Sequence, residues 1–182
     1  MKNNDKKRAL YLFFGVFGLY YVRSFVLYGL LNKKHLLDII DDVVIVVGGG
    51  ENAKKLLIET AQIESKMGTY PYNPFRDYGL GVFQFDKIGF EDTQARTSPR
   101  LKKVIRDNYN IDIDNLSYYD LRFSPLYSAI FARLKYYLVP AKIPDTKYGR
   151  ALYWFKWYNG GGAGSQEVSI QKYLKANEEK MT

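Results

Sequence analysis

The chain has no cysteine and a single histidine, His35, among its 182 residues. Without cysteine there is no disulfide framework, and with one histidine neither a Cys/His metal site nor a Cys/His nucleophilic pair can be built. Catalysis by carboxylate groups, with no metal and no cofactor, is the chemistry that stays consistent with this composition. We assign no role to His35.

Recognised nucleic-acid-binding patterns are also missing: the sequence has no helix-turn-helix, zinc-ligand or RNA-recognition pattern. It does have 47% hydrophobic residues and a formal net charge of +8. The length and hydrophobic content predict one globular domain with a sizeable core. The charge indicates attraction to polyanions, such as acidic cell-wall polymers or nucleic acid. Because charge alone predicts only nonspecific binding to nucleic acid, a membrane-anchored nucleic-acid binder is the interpretation that we rank last.

An apolar stretch follows the basic residues of the N-terminus. Residues 9–31 are 23 residues with one charge, Arg23, and this length could span a bilayer. No small-x-small cleavage site is evident, so the stretch is expected to be retained. Arg23 opposes a stable span, because a central charge costs about 2.5 to 3.5 kcal/mol on insertion scales. Two alternatives stay open, a weak membrane helix or a helix packed on the body or on a neighbouring subunit. We predict residues 1–35 as this apolar helix and residues 36–182 as the body.

The body is predicted to be mainly α-helical. Apolar periodicity indicates helices at residues 99–108, 126–138, 147–158 and 165–175, followed by a frayed polar tail. Another helix is expected to start near Asn52 as its N-cap and to run to Glu64. Residues 35–47 are ambiguous between a helix and a strand. One more helix would fit the predicted helical body, whereas residues 43–47 have strand propensity.

Glu64 continues the apolar stripe of the helix predicted before it. Ala61, Thr60 and Leu57 lie three, four and seven residues earlier and share its helical face. A carboxyl group at the end of such a stripe is poorly solvated when charged, so its pKa should rise. A carboxylic acid that is neutral near pH 7 can protonate a leaving oxygen. The alternative is a solvated glutamate at a helix end.

Glu59, on the same predicted helix, is interpreted differently. It shares a face with Lys55, four residues earlier, and with Gln62, three residues later. This spacing suits a surface ion pair, so we interpret Glu59 as structural.

Two glycine-rich segments lie further along the chain. Gly79 and Gly81 precede an apolar segment, and glycine is favoured where the backbone turns tightly or lets a ligand approach, so a groove floor is expected there. The second segment, residues 154–164, combines aromatic side chains, Asn159 and glycines, which suits stacking on sugar rings and bonding to acetamido groups. Asn159 and Gly160 also fit an ordinary helix C-terminus.

Taken in order, three motifs resemble those of the goose-type lysozyme and soluble lytic transglycosylase superfamily. They are Glu64-Ser65, the glycine-x-x-glutamine motif that ends at Gln84, and Tyr158-Asn159. Residues 121–138 also resemble the helix that precedes the tyrosine-asparagine motif in this family. The resemblance covers roughly residues 52–175, and three motifs in the correct order are hard to obtain by chance. It implies a lysozyme-like helical fold.

The resemblance implies cleavage of the β-1,4 bond between N-acetylmuramic acid and N-acetylglucosamine, with Glu64 as general acid. In a lytic transglycosylase, the muramoyl C6 hydroxyl attacks intramolecularly and gives a 1,6-anhydro product. In an inverting hydrolase, a second carboxylate holds a water about 6.5 to 9.5 Å from the acid. Asp77 and Asp86 are the candidates, although Asp86 lies two positions earlier than the family pattern places it, and each also suits an ordinary turn. Hydrolase and transglycosylase both stay open.

Four further residues are expected to bind substrate because of the resemblance. Ser65 belongs to the catalytic motif, and Gln84 is expected to shape the glycan groove. Tyr158 is expected near Glu64, and Asn159 near an acetamido group. A buried phenol that packs on the catalytic helix without touching substrate is the alternative for Tyr158.

The source is inferred from a narrower resemblance to transglycosylase-like proteins of tailed bacteriophages, carried by Gln84 with its preceding glycines, by residues 132–137 and by residues 153–159. It implies a virion-associated muramidase that acts in the periplasm and opens the host peptidoglycan at genome entry. The expected partners are other virion proteins and the inner membrane, which residues 9–31 would contact. Two alternatives remain: an endolysin, and an inactive virion protein that binds the wall. The glutamate-rich motif that some soluble lytic transglycosylases carry is not found.

Overall fold

The computed structural model describes residues 28–70, 79–160 and 165–178. Within these ranges the chain forms seven α-helices and two short 3-10 helices, at Ile113–Asn115 and Tyr118–Leu121. The α-helices are α1 Lys33–Val47, α2 Gly50–Ser65, α3 Lys87–Arg96, α4 Pro99–Tyr109, α5 Pro125–Tyr137, α6 Lys147–Trp157 and α7 Gln166–Ala176. The only extended pairing in the described ranges is a single antiparallel bridge between Leu80 and Phe85. The prediction of a mainly α protein is confirmed.

Four predicted helices, α4 to α7, end within one residue of the positions expected from the sequence. Each starts after a serine or threonine that accepts a hydrogen bond from a backbone N–H of the first turn: Ser98, Ser124, Thr146 and Ser165. Such side chains satisfy donors that the first turn of a helix leaves free. The caps therefore explain why these boundaries are readable from sequence.

The start of α2 differs from the prediction, because Asn52 is not its N-cap. The helix begins at Gly50 and its N-cap is Gly49, with a φ angle of 117°. Gly48 and Gly50 also have positive φ angles. Three consecutive glycines with positive φ angles reverse the chain directly after α1, so the N-cap of α2 lies three residues before Asn52.

The ambiguous segment at residues 35–47 is helical throughout. Asn32 caps α1, its side-chain oxygen accepting a hydrogen bond from the His35 backbone N–H at 2.9 Å. The buried side chains of α1 recur at helical spacing and override the strand propensity of the valines: Leu36, Ile40, Val43, Val44 and Val47. The predicted boundary at residue 35 lies inside this helix, and Tyr28 and Leu30 before it are buried in the core.

The predicted apolar N-terminal helix falls mostly outside the described residues, which begin at Tyr28. Among the helices that the structure describes, none combines the length and the apolar character needed to cross a membrane. Both alternatives for residues 9–31, a weak membrane helix and a packed helix, therefore stay predictions.

Helix α2 lies at the centre of the molecule. It packs against α1, α5, α6 and α7, and its side chains Leu56, Leu57 and Ala61 are fully buried. Helix α5 crosses α1 and α3, while α7 packs mainly on α6. This arrangement brings the C-terminal end of α2, which carries Glu64, next to the ends of α5 and α6.

Glu59 of α2 lies in the core, so the predicted surface ion pair is wrong. Its carboxylate accepts two hydrogen bonds at 2.7 Å from the Arg150 guanidinium of α6 and a third, at 2.9 Å, from the Tyr173 hydroxyl of α7. Lys55 instead lies 3.7 Å from Glu51. Because α6 and α7 cover this face of α2, Glu59 is structural as expected, but through a buried network.

Candidate active site

Glu64 lies in the last turn of α2, and its side chain is only partly exposed. Ala61, Thr60 and Leu57, which precede it on the same face, are fully buried, as the helical period predicts. One carboxylate oxygen accepts a hydrogen bond of 3.0 Å from the Trp154 indole Nε1. Burial raises the pKa of Glu64 to about 7, although this hydrogen bond and the charge of Lys135 act to lower it. The carboxyl group is therefore suited to donate a proton near neutral pH.

Two tyrosines flank this carboxyl group. The Tyr136 hydroxyl shares a hydrogen bond of 2.8 Å with Thr60 Oγ1, and the Tyr158 hydroxyl donates to the Phe83 carbonyl at 2.8 Å. Burial raises the pKa of both phenols well above the usual value, and the charge of Glu64 raises both further. Tyr158 is thus near Glu64, as expected, and it is also the buried phenol of the alternative interpretation, with its hydroxyl bonded to the glycine turn.

The segment after Gly79 forms a tight turn beside these residues. Leu80 and Phe85 exchange two backbone hydrogen bonds of 2.9 Å across it. Gly79 and Gly81 have φ angles of 72° and 69°, and a Cβ on Gly81 would lie 2.5 Å from the Leu121 carbonyl oxygen. The two glycines are required by a tight turn, and the groove floor expected there stays a prediction.

Gln84 closes this turn from within. Its side-chain amide donates a hydrogen bond of 2.9 Å to the Gly81 carbonyl, and its backbone has a positive φ angle of 47°. The side chain is half-buried. Gln84 therefore fixes the shape of the turn, and a part of the side chain stays exposed.

Asp86 comes next and caps α3. Its Oδ1 accepts a hydrogen bond of 2.6 Å from the Gly89 N–H, and its Oδ2 lies 3.7 Å from Lys135 Nζ. The side chain is exposed. Asp86 thus bonds a local backbone N–H, which is the ordinary role considered for it. It also pairs with Lys135, whose charge acts to lower the pKa of Glu64. Asp77, the other predicted aspartate, lies outside the described residues.

Ser65 and Asn159 complete the predicted set. Ser65 is fully buried; its hydroxyl donates to the Ala61 carbonyl at 3.2 Å and accepts from the Gly68 N–H at 3.0 Å. The Ser65 side chain stabilises the end of α2 and is closed off from solvent, and its assignment to substrate binding stays a prediction. Asn159 is half-buried directly after Tyr158, and its backbone N–H bonds the Trp154 carbonyl at 3.0 Å.

Two residues at the site, Trp154 and Lys135, received no individual role from the sequence. Lys135 Nζ lies 3.4 Å from the Tyr158 carbonyl oxygen and 4.8 Å from the centroid of the Tyr158 ring. The signal in the sequence was its place directly after the largely apolar residues 128–134, all of which are buried in α5. Trp154 was included in an aromatic run, but its contact with Glu64 joins residues 90 positions apart.

The arrangement offers proton transfer by one buried carboxyl group beside a glycine turn. Over the part of the chain that the structure describes, no three histidine, cysteine, aspartate or glutamate residues are placed to hold a metal ion. Comparison of the chain with protein-family models, with curated proteins and with solved structures found no match.

Proposed function

We propose that the protein is a peptidoglycan-cleaving muramidase with a lysozyme-like helical fold and with Glu64 as its general acid. The observation that carries the proposal is the setting of Glu64, a carboxyl group with a pKa of about 7 that is held by the Trp154 indole N–H. The three motifs that carry the family resemblance also meet here, because the Tyr158 hydroxyl bonds the turn that contains Gln84. Tyr158 thus links the motifs, because its phenol bonds the turn and its pKa responds to the charge of Glu64.

In the proposed first step, Glu64 donates its proton to the glycosidic oxygen. The bond between this oxygen and the muramoyl C1 breaks, and N-acetylglucosamine leaves with the proton on its hydroxyl. The Glu64 carboxylate that results is stabilised by the Trp154 N–H and by the charge of Lys135. Neutral phenols at Tyr136 and Tyr158 add no negative charge next to it.

For the second step, we propose the transglycosylase route. The Glu64 carboxylate accepts the proton of the muramoyl C6 hydroxyl while this oxygen bonds to C1, which closes the 1,6-anhydro ring and restores the acid. This route needs one carboxyl group. A hydrolase needs a second one to hold water; of the two candidates, Asp86 caps the N-terminus of α3, and Asp77 lies outside the described residues.

The biological setting that we propose is a bacteriophage virion, with the enzyme opening the host wall locally at genome entry. The support is the motif resemblance to transglycosylase-like phage proteins and the net charge of +8, which favours association with acidic wall polymers. An endolysin that acts at release has the same chemistry.

The experiment that tests the reaction is mass spectrometry of muropeptides released from purified peptidoglycan by the wild-type protein and by Glu64→Gln. The amide keeps the shape of the side chain but cannot donate the proton, so we expect product to fall by at least about a hundredfold. Glu51→Gln, an exposed change on the same helix, is the matched control and should keep full activity.

The products discriminate between the mechanisms. Anhydromuropeptides that vanish in Glu64→Gln support the transglycosylase, and reducing-end muramic acid that vanishes supports a lysozyme. Undiminished turnover by Glu64→Gln would refute the role of Glu64. No product from the wild-type protein would favour a wall-binding virion protein without turnover.

A further inference from the structure

A cavity of about 150 Å³ lies beside Lys135. Residues 138–140 and the ring of Trp157 give it an apolar lining, and Asp92 and Arg96 of α3 stand with Lys135 as its charged residues. About 10 to 15 Å³ of such space is enough for one water molecule, so the cavity has room for a group of several heavy atoms. It therefore accommodates a group of the size of a small amino-acid residue.

Lys135 joins this cavity to the candidate active site. Its ammonium lies 3.4 Å from the Tyr158 carbonyl oxygen and 3.7 Å from Asp86 Oδ2. Both distances exceed the roughly 2.7 to 2.9 Å of a strong charge-assisted hydrogen bond. The side chain is nevertheless mostly buried, with the ammonium over the rings of Phe85 and Tyr158. A cation held in place by several long contacts keeps donor capacity for an incoming anion.

Arg96 supplies a second cation at the same cavity. Its guanidinium donates to Asp92, four residues earlier on α3, at 3.0 Å, and both side chains are more than half exposed. Exposed pairs of this kind contribute little free energy, so a carboxylate ligand can compete with Asp92 for Arg96. The cavity thus combines two available cations with an aliphatic and aromatic lining.

We propose that this cavity binds the acidic peptide stem of peptidoglycan, with a stem carboxylate at Lys135 and Arg96 and an alanyl methyl group against Trp157 and residues 138–140. The inference rests on the proposed function, because the stem is attached to the muramoyl sugar that Glu64 would act on. The glycan backbone offers uncharged hydroxyl and acetamido groups, whereas the stem offers the small apolar and anionic groups that this lining matches.

The chain carries a reporter for each site, because Trp154 and Trp157 are its two tryptophans. The Trp154 indole N–H bonds Glu64, whereas the Trp157 ring lines the cavity. We would titrate the full 15N-labelled chain with N-acetylmuramoyl-L-alanyl-D-glutamate, and separately with the peptide-free chitotriose, and follow the two indole signals. Trp157→Phe assigns them. We expect the muramoyl peptide to move the Trp157 signal and chitotriose to leave it in place.

Charge at the cavity is tested with Arg96→Gln. We expect the Kd of the muramoyl peptide to rise by about tenfold, the effect of losing one charge-assisted contact. Arg106→Gln is the matched control, because Arg106 of α4 is about as exposed as Arg96 and pairs with a carboxylate, that of Asp112, at 3.2 Å. The ratio of kcat/KM on peptide-bearing over peptide-free glycan strands should fall in Arg96→Gln and stay at the wild-type value in Arg106→Gln.

The outcomes separate this inference from the proposed function. A Trp157 signal that the muramoyl peptide does not move, or that inorganic phosphate moves equally well, overturns the stem site even if the enzyme cleaves glycan. A Trp157 shift that depends on Arg96 supports the site even if no cleavage is found, since binding is measured without turnover.

Discussion

The pKa of Glu64 depends on two parts of the chain that are far apart in sequence. The apolar stripe of α2 contributes to the burial that raises the pKa, whereas the hydrogen bond from the Trp154 indole N–H of α6 acts to lower it. The first contribution follows from spacing within one helix, so it could be predicted from the sequence. The second depends on how α6 packs against α2, and no local pattern specifies which aromatic residue of residues 154–158 reaches the acid.

The proton on Glu64 should be visible in the Trp154 indole signal. Because burial raises the pKa of Glu64 to about 7, the Trp154 N–H should shift with a midpoint near pH 7 as its acceptor changes from acid to carboxylate. Under the proposed function the general acid is active when protonated, so kcat should fall as the pH rises through the same midpoint. The measurement is an NMR pH titration beside a pH-rate profile.

Glu64→Gln serves as the control for this titration, since its amide does not ionise in this range. The Trp154 signal of the variant should lack the transition. A midpoint near the ordinary value of 4.5 in the wild-type protein would contradict the buried setting.

At the scale of the elements, boundaries were predictable where polar side chains cap helices and were missed where glycine or packing decides. Ser98 and Ser124 mark their helices in the sequence, whereas Gly49 ends a reversal that has no side-chain signal. Helix α3 was not predicted, because only Phe90 and Thr93 of its ten residues are buried and no apolar stripe repeats. Its position depends on Asp86 and on packing against α5.

The glycine turn provides a prediction at this scale. Gly81→Ala combines a left-handed φ of 69° with a Cβ placed 2.5 Å from the Leu121 carbonyl oxygen and the Ser128 hydroxyl. We expect a loss of about 2 to 4 kcal/mol in the free energy of unfolding, from strain and overpacking together. Urea denaturation measures it.

Gly48→Ala is the matched control for the turn. Gly48 also has a positive φ, of 87°, but an added Cβ there meets no atom within 4 Å. Because its ψ angle is 178°, the residue lies in a region that glycine alone adopts readily, and the cost should be limited to conformational strain, about 1 to 3 kcal/mol. Equal losses in the two variants would show that the close approach at Gly81 does not matter.

At the scale of the whole molecule, the buried network of Glu59 joins three helices. Arg150 of α6 and Tyr173 of α7 both bond the carboxylate of this α2 residue, and the Asn177 side-chain amide donates to the Glu59 backbone carbonyl at 3.2 Å. The sequence suggested a surface ion pair of Glu59 with Lys55, because helical spacing identifies only neighbours within one helix. The actual partner, Arg150, is 91 residues away.

Removing one partner from this network should be costly. Arg150→Met leaves the Glu59 carboxylate buried without its cation, and we expect a loss of about 3 to 5 kcal/mol in the free energy of unfolding. The double variant Glu59→Leu with Arg150→Met should be less damaged, because no charge stays buried. Urea denaturation of both proteins tests this.

Lys54→Met is the comparison for an ion pair near the surface, since Lys54 lies 2.6 Å from Asp41 with both side chains partly exposed. It should cost less than about 1 kcal/mol. An Arg150→Met loss as small as this one would mean that the Glu59 network contributes little to stability.

The entry of the chain into the body is packed against the turn that follows Glu64. A Cβ on Gly68 would lie 2.5 Å from the Leu30 side chain, and both Tyr28 and Leu30 are buried. Mechanical tension applied to the chain before Tyr28 would therefore act on the segment only four residues beyond the acid. A tether on the residues before Tyr28 would thus act mechanically on the end of α2 that carries Glu64.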